Sequence, residues 1–254
     1  MRPAEALLVE LGISDPKDID VDAIADYADA EVDYRDLAGC EAQIIGYRDR
    51  AVIYVRKSAP YQRRRFSTAH ELGHWHHHRG QSFVCRPEDI GRPIDEVSRN
   101  VERVADAYAA DLLLPPFMVE PRLASLGKVS LDGIVEFARL FSTSVTATAI
   151  RVMRMTKEPV ILVAHNMFGK RWQWPGVTAG GLSVRSDIDS RSSAFFAMSG
   201  ISKLGPPKKE PAGFWFDRRH IDQFDVQVQN MQTAEGEVIS LVRILDAKLI
   251  EIYG

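Results

Sequence analysis

Residues 70–74 read His-Glu-Leu-Gly-His, and no other segment constrains this chain so strongly. On a helix, positions i and i+4 share one face, so both imidazoles can reach a single ion. Neutral imidazole nitrogen suits zinc at about 2.0–2.1 Å. Glu71 flanks the same site and can take a proton from metal-bound water as general base, zinc having lowered that water's pKa to about 7. Ala69, Leu72 and Gly73 keep the surroundings small or apolar, which suits packing against a core. His76, His77 and His78 complete a histidine run that lies inside the chain and is interrupted by apolar residues, which argues against a tag. By helical spacing His76 and His77 fall off the ligand face and read as polar surface, and His78 is assigned no metal role.

A catalytic zinc needs a third protein ligand and keeps one position open. The longer HExxHxxGxxH pattern fails here, because His77 and Gly80 stand where it wants Gly and His. The next candidates are acids on the following helix. Glu102 comes 28 residues after His74, and Asp106 lies four residues further on the same face. In the functional reading Glu102 is a metal ligand and Asp106 accepts the spare N–H of a ligand histidine. In the alternative both are surface charges, as most helix acids are. Cys85 sits between the two helices and could approach the metal, but it reads as a buried or inert thiol. No clear fourth protein ligand stands out, which favours an open, catalytic site over a closed, structural one.

Two cysteines, Cys40 and Cys85, are too few for a disulfide scaffold or a cysteine-based zinc knuckle. A net charge of −3 gives no indication of general polyanion binding. The first residues lack the long apolar core of a signal peptide, and no stretch of apolar residues is long enough for a membrane span, so a cytoplasmic protein without membrane contact is expected. Apolar spacing predicts helices over 3–11 and 21–30. Residues 42–47 and 51–55 read as a hairpin around Arg48-Asp49-Arg50. Ser58-Ala59-Pro60 leads into a helix from about Pro60 to Arg79, stopped by Gly80. A loop over 81–95 precedes a second long helix from about Glu96 to Leu114, ended by Pro115-Pro116. Shorter helices fill 117–157, with Ser144 as a cap. Beyond Lys157 the chain turns strand-rich, with a strand at 159–165 and two strands expected in 237–253 around Asp246-Ala247.

The segments RRRFSTAHELGHWHHH and ERVADAYAADLLLP together resemble the ImmA/IrrE family of zinc metallopeptidases, specifically its IrrE-type, radiation- and stress-response branch. The resemblance is sharpest over Phe66–His78 and Glu102–Pro115. It implies an α+β chain with a reduced thermolysin-like peptidase domain, two central helices beside a small antiparallel sheet, over 1–127. It further implies a helix-turn-helix-like segment over 128–157 and a GAF-like sensor domain over 158–254. Carried over, His70, His74 and Glu102 bind one zinc per chain in a gluzincin-like set, another divalent ion such as Mn2+ being the alternative, and Glu71 is the catalytic base. The substrate implied is a helix-turn-helix repressor, cleaved under stress. The non-enzymatic alternative is a transcription regulator with a retained metal site that binds DNA or a repressor. Residues 128–157 carry five basic residues (Lys128, Arg139, Arg151, Arg154, Lys157) and two acids (Asp132, Glu136). DNA contact is therefore open to the chain, but no Asn or Gln is offered to read adenine. Trp172, Trp174, Phe214 and Trp215 read as core rather than as the lining of a sensor pocket.

Overall fold

The computed structural model describes residues 1–85, 96–179, 181–199, 204–233 and 237–254. The chain folds into two compact units, one of Met1–Arg122 with Ala138–Ala147, the other of Leu123–Phe137 with Thr148–Gly254. Both are mixtures of helix and sheet, as expected for an α+β chain.

In the first unit, α1 (Pro3–Glu10) and α2 (Val21–Tyr27) lead into β1 (Ala30–Arg35). The hairpin follows as β2 (Ala42–Tyr47) and β3 (Arg50–Arg56), with Arg48 in the left-handed region at φ 52°. The sheet has the order β1-β3-β2-β4, where β4 is Phe83–Cys85. The β1–β3 pair is parallel and the other pairs are antiparallel, so the sheet is mixed rather than wholly antiparallel. α2 precedes β1 in sequence, and β1 joins the side of β3 away from β2.

The 17-residue helix α3 (Tyr61–His77) packs on β2 and β3 and against α4 (Glu96–Leu113). Every residue from Ser67 to Trp75 is buried. A helix with no exposed face in its middle is covered on more than one side, here by sheet and by α4. Its N-cap is Pro60, without a side-chain cap bond, so Ser58 does not cap it. It ends as expected, with Gly80 in the left-handed conformation at φ 78°. Arg65 is buried and donates to the Ile19 carbonyl at 2.9 Å, so the arginine run is not simply a solvated turn. Gly73 is needed where α3 meets α4: a Cβ there would come 2.8 Å from Ala105 Cα and 2.9 Å from Ala105 O.

The shorter helices are α5 (Pro116–Ser125), α6 (Leu131–Leu140) and α7 (Val145–Met155). Ser144 caps α7, its Oγ accepting from Ala147 N at 3.1 Å.

The second unit holds a five-stranded antiparallel sheet of order β6-β5-β9-β8-β7. Its members are β5 (Val160–Asn166), β6 (Gly169–Pro175), β7 (Lys208–Pro211), β8 (Asp225–Gln232) and β9 (Val238–Ile244). β5 is buried from Val160 to His165 and therefore reads as a continuous apolar run. Trp215, Phe216, Val226, Val242 and Leu249 belong to the core. Trp215 is buried there, whereas Trp172, Trp174 and Phe214 are half-buried. α8 (Ser193–Ser199) and α9 (Ala247–Tyr253) complete the unit. The expected second strand in 237–253 is thus a helix. Asp246 caps it, accepting from Lys248 N at 2.9 Å, and Leu249 enters the core. Among the described residues no helix is long and apolar enough to cross a membrane.

Candidate metal centre

Four side chains in the first unit converge: His70 and His74 from α3, Cys85 from the end of β4 and Glu102 from α4. Their ligand atoms all lie within 4.8 Å of one another, and all four residues are buried. His70 Nε2 stands 2.9 Å from Glu102 Oε2 and 3.0 Å from His74 Nε2. His74 Nε2 is 3.5 Å from Glu102 Oε2 and 3.5 Å from Cys85 Sγ. The other nitrogen of His70, Nδ1, faces Asp106 Oδ1 at 3.0 Å. In the neutral ring that contact keeps the proton on Nδ1 and leaves the Nε2 lone pair facing the cluster. His74 Nδ1 has no hydrogen-bond partner, and its ring stacks on Phe83 with centroids 4.3 Å apart.

Glu71 is fully buried, and apart from the Cys85 thiol beside it neither of its carboxylate oxygens has a hydrogen-bond partner. A buried carboxylate without a partner is costly unless something else occupies the space it faces. Burial pushes its pKa up to about 7, against the lowering influence of His70 and of the Cys85 thiol beside it. Burial also pulls the His70 pKa down. The hydrogen bonds to Asp106 and Glu102, with the charge of Glu71, outweigh that and raise it to about 9. Burial would raise Glu102, but its bonds with His70 and His74 hold it at about 2. His74 is lowered, chiefly by burial. The side chains alone thus trap a proton between imidazole and carboxylates, the place where a bound cation would put its own charge.

The spacing fits a metal ion. Two nitrogen or oxygen ligands at about 2.0–2.1 Å on a tetrahedral centre stand about 3.3–3.4 Å apart. The edges His70–Glu102, His70–His74 and His74–Glu102 measure 2.9, 3.0 and 3.5 Å, which bracket that value.

The structure therefore brings His70, Glu71, His74, Glu102 and Asp106 together, and it does not leave Glu102 as a surface charge. Asp106 faces His70 rather than open solvent. His76 and His77 are exposed, each with its ring beside Tyr108 of α4. His78 is half-buried, with its ring centroid 6.0 Å from that of His74. The clear departure is Cys85. The expected loop over 81–95 contains β4, whose pairing of Ala42 with Cys85 carries the thiol into the cluster; residues 86–95 lie outside the described residues. The one signal in the sequence was the cysteine's position between the two ligand helices. Of the basic residues in 128–157, Arg151 is buried and Arg154 lies over the Trp174 ring at 4.9 Å.

Residues 25–153 match the family described as the IrrE N-terminal-like domain, a peptidase family. No curated protein matches the chain. Among solved structures, the chain is similar to one titled a Mycobacterium tuberculosis transcriptional regulator. The TM-score is 0.56 at 17% sequence identity, over 95% of this chain and 86% of that one, a likeness of fold. With half of its length matched, and the histidine and glutamate cluster lying within the matched residues, the chain belongs to the peptidase family of IrrE N-terminal-like domains.

Proposed function

We propose that this chain is a zinc-dependent endopeptidase that cuts a peptide bond in a helix-turn-helix transcriptional repressor and so derepresses stress or DNA-damage response genes. One observation carries the reading. Three ligand atoms, 2.9–3.5 Å from one another, converge beside a fully buried carboxylate, Glu71, whose oxygens have no partner but the Cys85 thiol. Family membership supports the peptidase class. The substrate rests on the resemblance of the two motif segments to IrrE-type proteins. In this reading residues 1–127 are a reduced thermolysin-like peptidase domain, 128–157 a helix-turn-helix-like segment and 158–254 a GAF-like sensor domain.

His70, His74 and Glu102 would hold the ion, with Asp106 fixing the His70 tautomer through Nδ1. Zinc so held supplies Lewis acidity, lowering the pKa of water and polarising the scissile carbonyl. Glu71 takes a proton from the attacking water onto a carboxylate oxygen and passes it to the leaving amine. Burial raises its pKa above the usual carboxylate range, which favours its holding a transferred proton. Burial of the whole set excludes bulk water from the proton's path.

The second reading, a regulator that binds DNA or a repressor around a retained metal site, draws on Cys85. Four protein ligands make a closed, structural zinc site, and Cys85 offers a fourth. Glu71 argues against it, because a purely structural site has no use for a carboxylate buried beside its ligands. Glu71→Gln separates the two. The variant should bind zinc as wild type does and cleave nothing, and full cleavage by it would remove Glu71 from the mechanism.

A further inference from the structure

We propose that Cys85 Sγ is the fourth protein ligand of the metal at this site, closing in the resting protein the position that a catalytic water must occupy. The inference rests on the metallopeptidase reading above and adds to it a latent state. Zinc–sulfur bonds of about 2.3 Å and zinc–nitrogen bonds of about 2.0–2.1 Å at a tetrahedral angle put S and N about 3.6 Å apart. Cys85 Sγ stands 3.5 Å from His74 Nε2. The thiol is 1% exposed, and its Sγ lies within 4.8 Å of a ligand atom on each of His70, His74 and Glu102.

A second observation concerns the carboxylate beside the thiol. Glu71 is buried at the same place, and apart from the Cys85 thiol neither of its oxygens has a hydrogen-bond partner. A base in that position expects a water to act on. With Sγ on the metal, that water is excluded and Glu71 has nothing to deprotonate. The backbone also allows for release. Among the described residues β4 lies at the edge of its sheet, pairs with β2 alone and is three residues long. Short edge strands open locally at small cost compared with central ones. Withdrawal of Cys85 exchanges one metal–sulfur bond for one metal–water bond, the thiolate taking up a proton as it leaves, and needs no redox partner.

Cobalt(II) in place of zinc tests the ligation directly. The full chain loaded with one cobalt should show a sulfur-to-cobalt charge-transfer band in the near ultraviolet. Cys85→Ser and Cys85→Ala should each still bind one cobalt, because three protein ligands suffice for a catalytic site. Both should lose the band, whereas Cys40→Ser, changing the other buried cysteine, should keep it. Cobalt bound to wild type without the band overturns the proposal, as does a band that survives in both Cys85 variants. If one Cys85 variant fails to fold, the other and the wild-type spectrum still decide. Repressor cleavage is the second readout. If nine in ten resting molecules are closed, the Cys85 variants should cleave about tenfold faster than wild type. An unchanged rate overturns the latency. A band that depends on Cys85, with no cleavage by any form, leaves the thiolate ligand standing and counts against the peptidase reading instead.

Discussion

Gly73→Ala tests whether the crossing of α3 and α4 sets the metal geometry. The added Cβ would lie 2.8 Å from Ala105 Cα, 2.9 Å from Ala105 O and 3.1 Å from Tyr108 Cβ, where ordinary contact begins at 3.4 Å. The first two atoms are backbone, so no rotamer change relieves them, and the helices must separate by about 0.6 Å or more at this point. Two effects compete. Alanine is the better helix former by about 0.8–1.0 kcal/mol, while overpacking a filled interface costs about 1–3 kcal/mol. The difference leaves a net loss of about 0–2 kcal/mol in urea unfolding, towards the upper end because the clashing atoms are backbone. The site should suffer more than the fold. α3 carries His70 and His74, and α4 carries Glu102, three residues before Ala105. Metal–ligand distances tolerate only about 0.2 Å, so zinc affinity should fall by about ten- to a hundredfold in a chelator competition. Gly133→Ala is the control. Its Cβ would meet only the Leu126 and Ser130 side chains, at 3.3 Å or more, and zinc affinity should not change. A Gly73→Ala protein equal to wild type in both stability and zinc affinity would refute the reasoning.

The remaining predictions concern the charges around the site. Removing the His70 partner with Asp106→Ala should weaken zinc binding by about ten- to a hundredfold while leaving its stoichiometry at one, as read by the same competition. The metal-free protein should have a bell-shaped dependence on pH. His70, raised to about 9, stabilises fully below its ordinary value of 6.5 and loses that contribution as pH climbs through 9. Glu102, held at about 2, stabilises above its ordinary 4.5 and loses that as pH falls towards 2. The stability difference between metal-free wild type and metal-free Glu102→Gln should therefore peak between pH 4.5 and 6.5. A difference flat from pH 4 to 9 would exclude the pairing. Zinc should reverse the alkaline arm, since the metal competes with protons for the imidazoles and binds more tightly as pH rises.

Much of the first unit was legible because its signals are local. The i, i+4 spacing of His70 and His74, the glycine stop at Gly80 and the β2–β3 hairpin pattern each act within a few residues. Glu102 and Asp106 could be placed because a helix fixes which residues four apart share a face. What escaped depends on pairing between distant segments. β4 is three residues in a Pro- and Gly-rich stretch, and it exists through its register with β2, forty positions earlier, which no periodicity reports. Local signals therefore do not place Cys85 in the site. The terminal helix resembles a strand in sequence because Lys248–Tyr253 is rich in β-branched and aromatic residues, while the decisive feature is one cap, Asp246. β1 joining β3 in parallel is likewise a matter of tertiary topology.

The central claim, that this cluster is a metal-dependent peptidase site with Glu71 as its base, is tested most directly by one paired measurement. Zinc content and cleavage of a helix-turn-helix repressor encoded beside this gene should be determined for wild type and for Glu71→Gln. The account predicts one zinc per chain in both proteins and cleavage by wild type alone. Absence of metal from both after zinc is supplied, or equal cleavage by both, would contradict it.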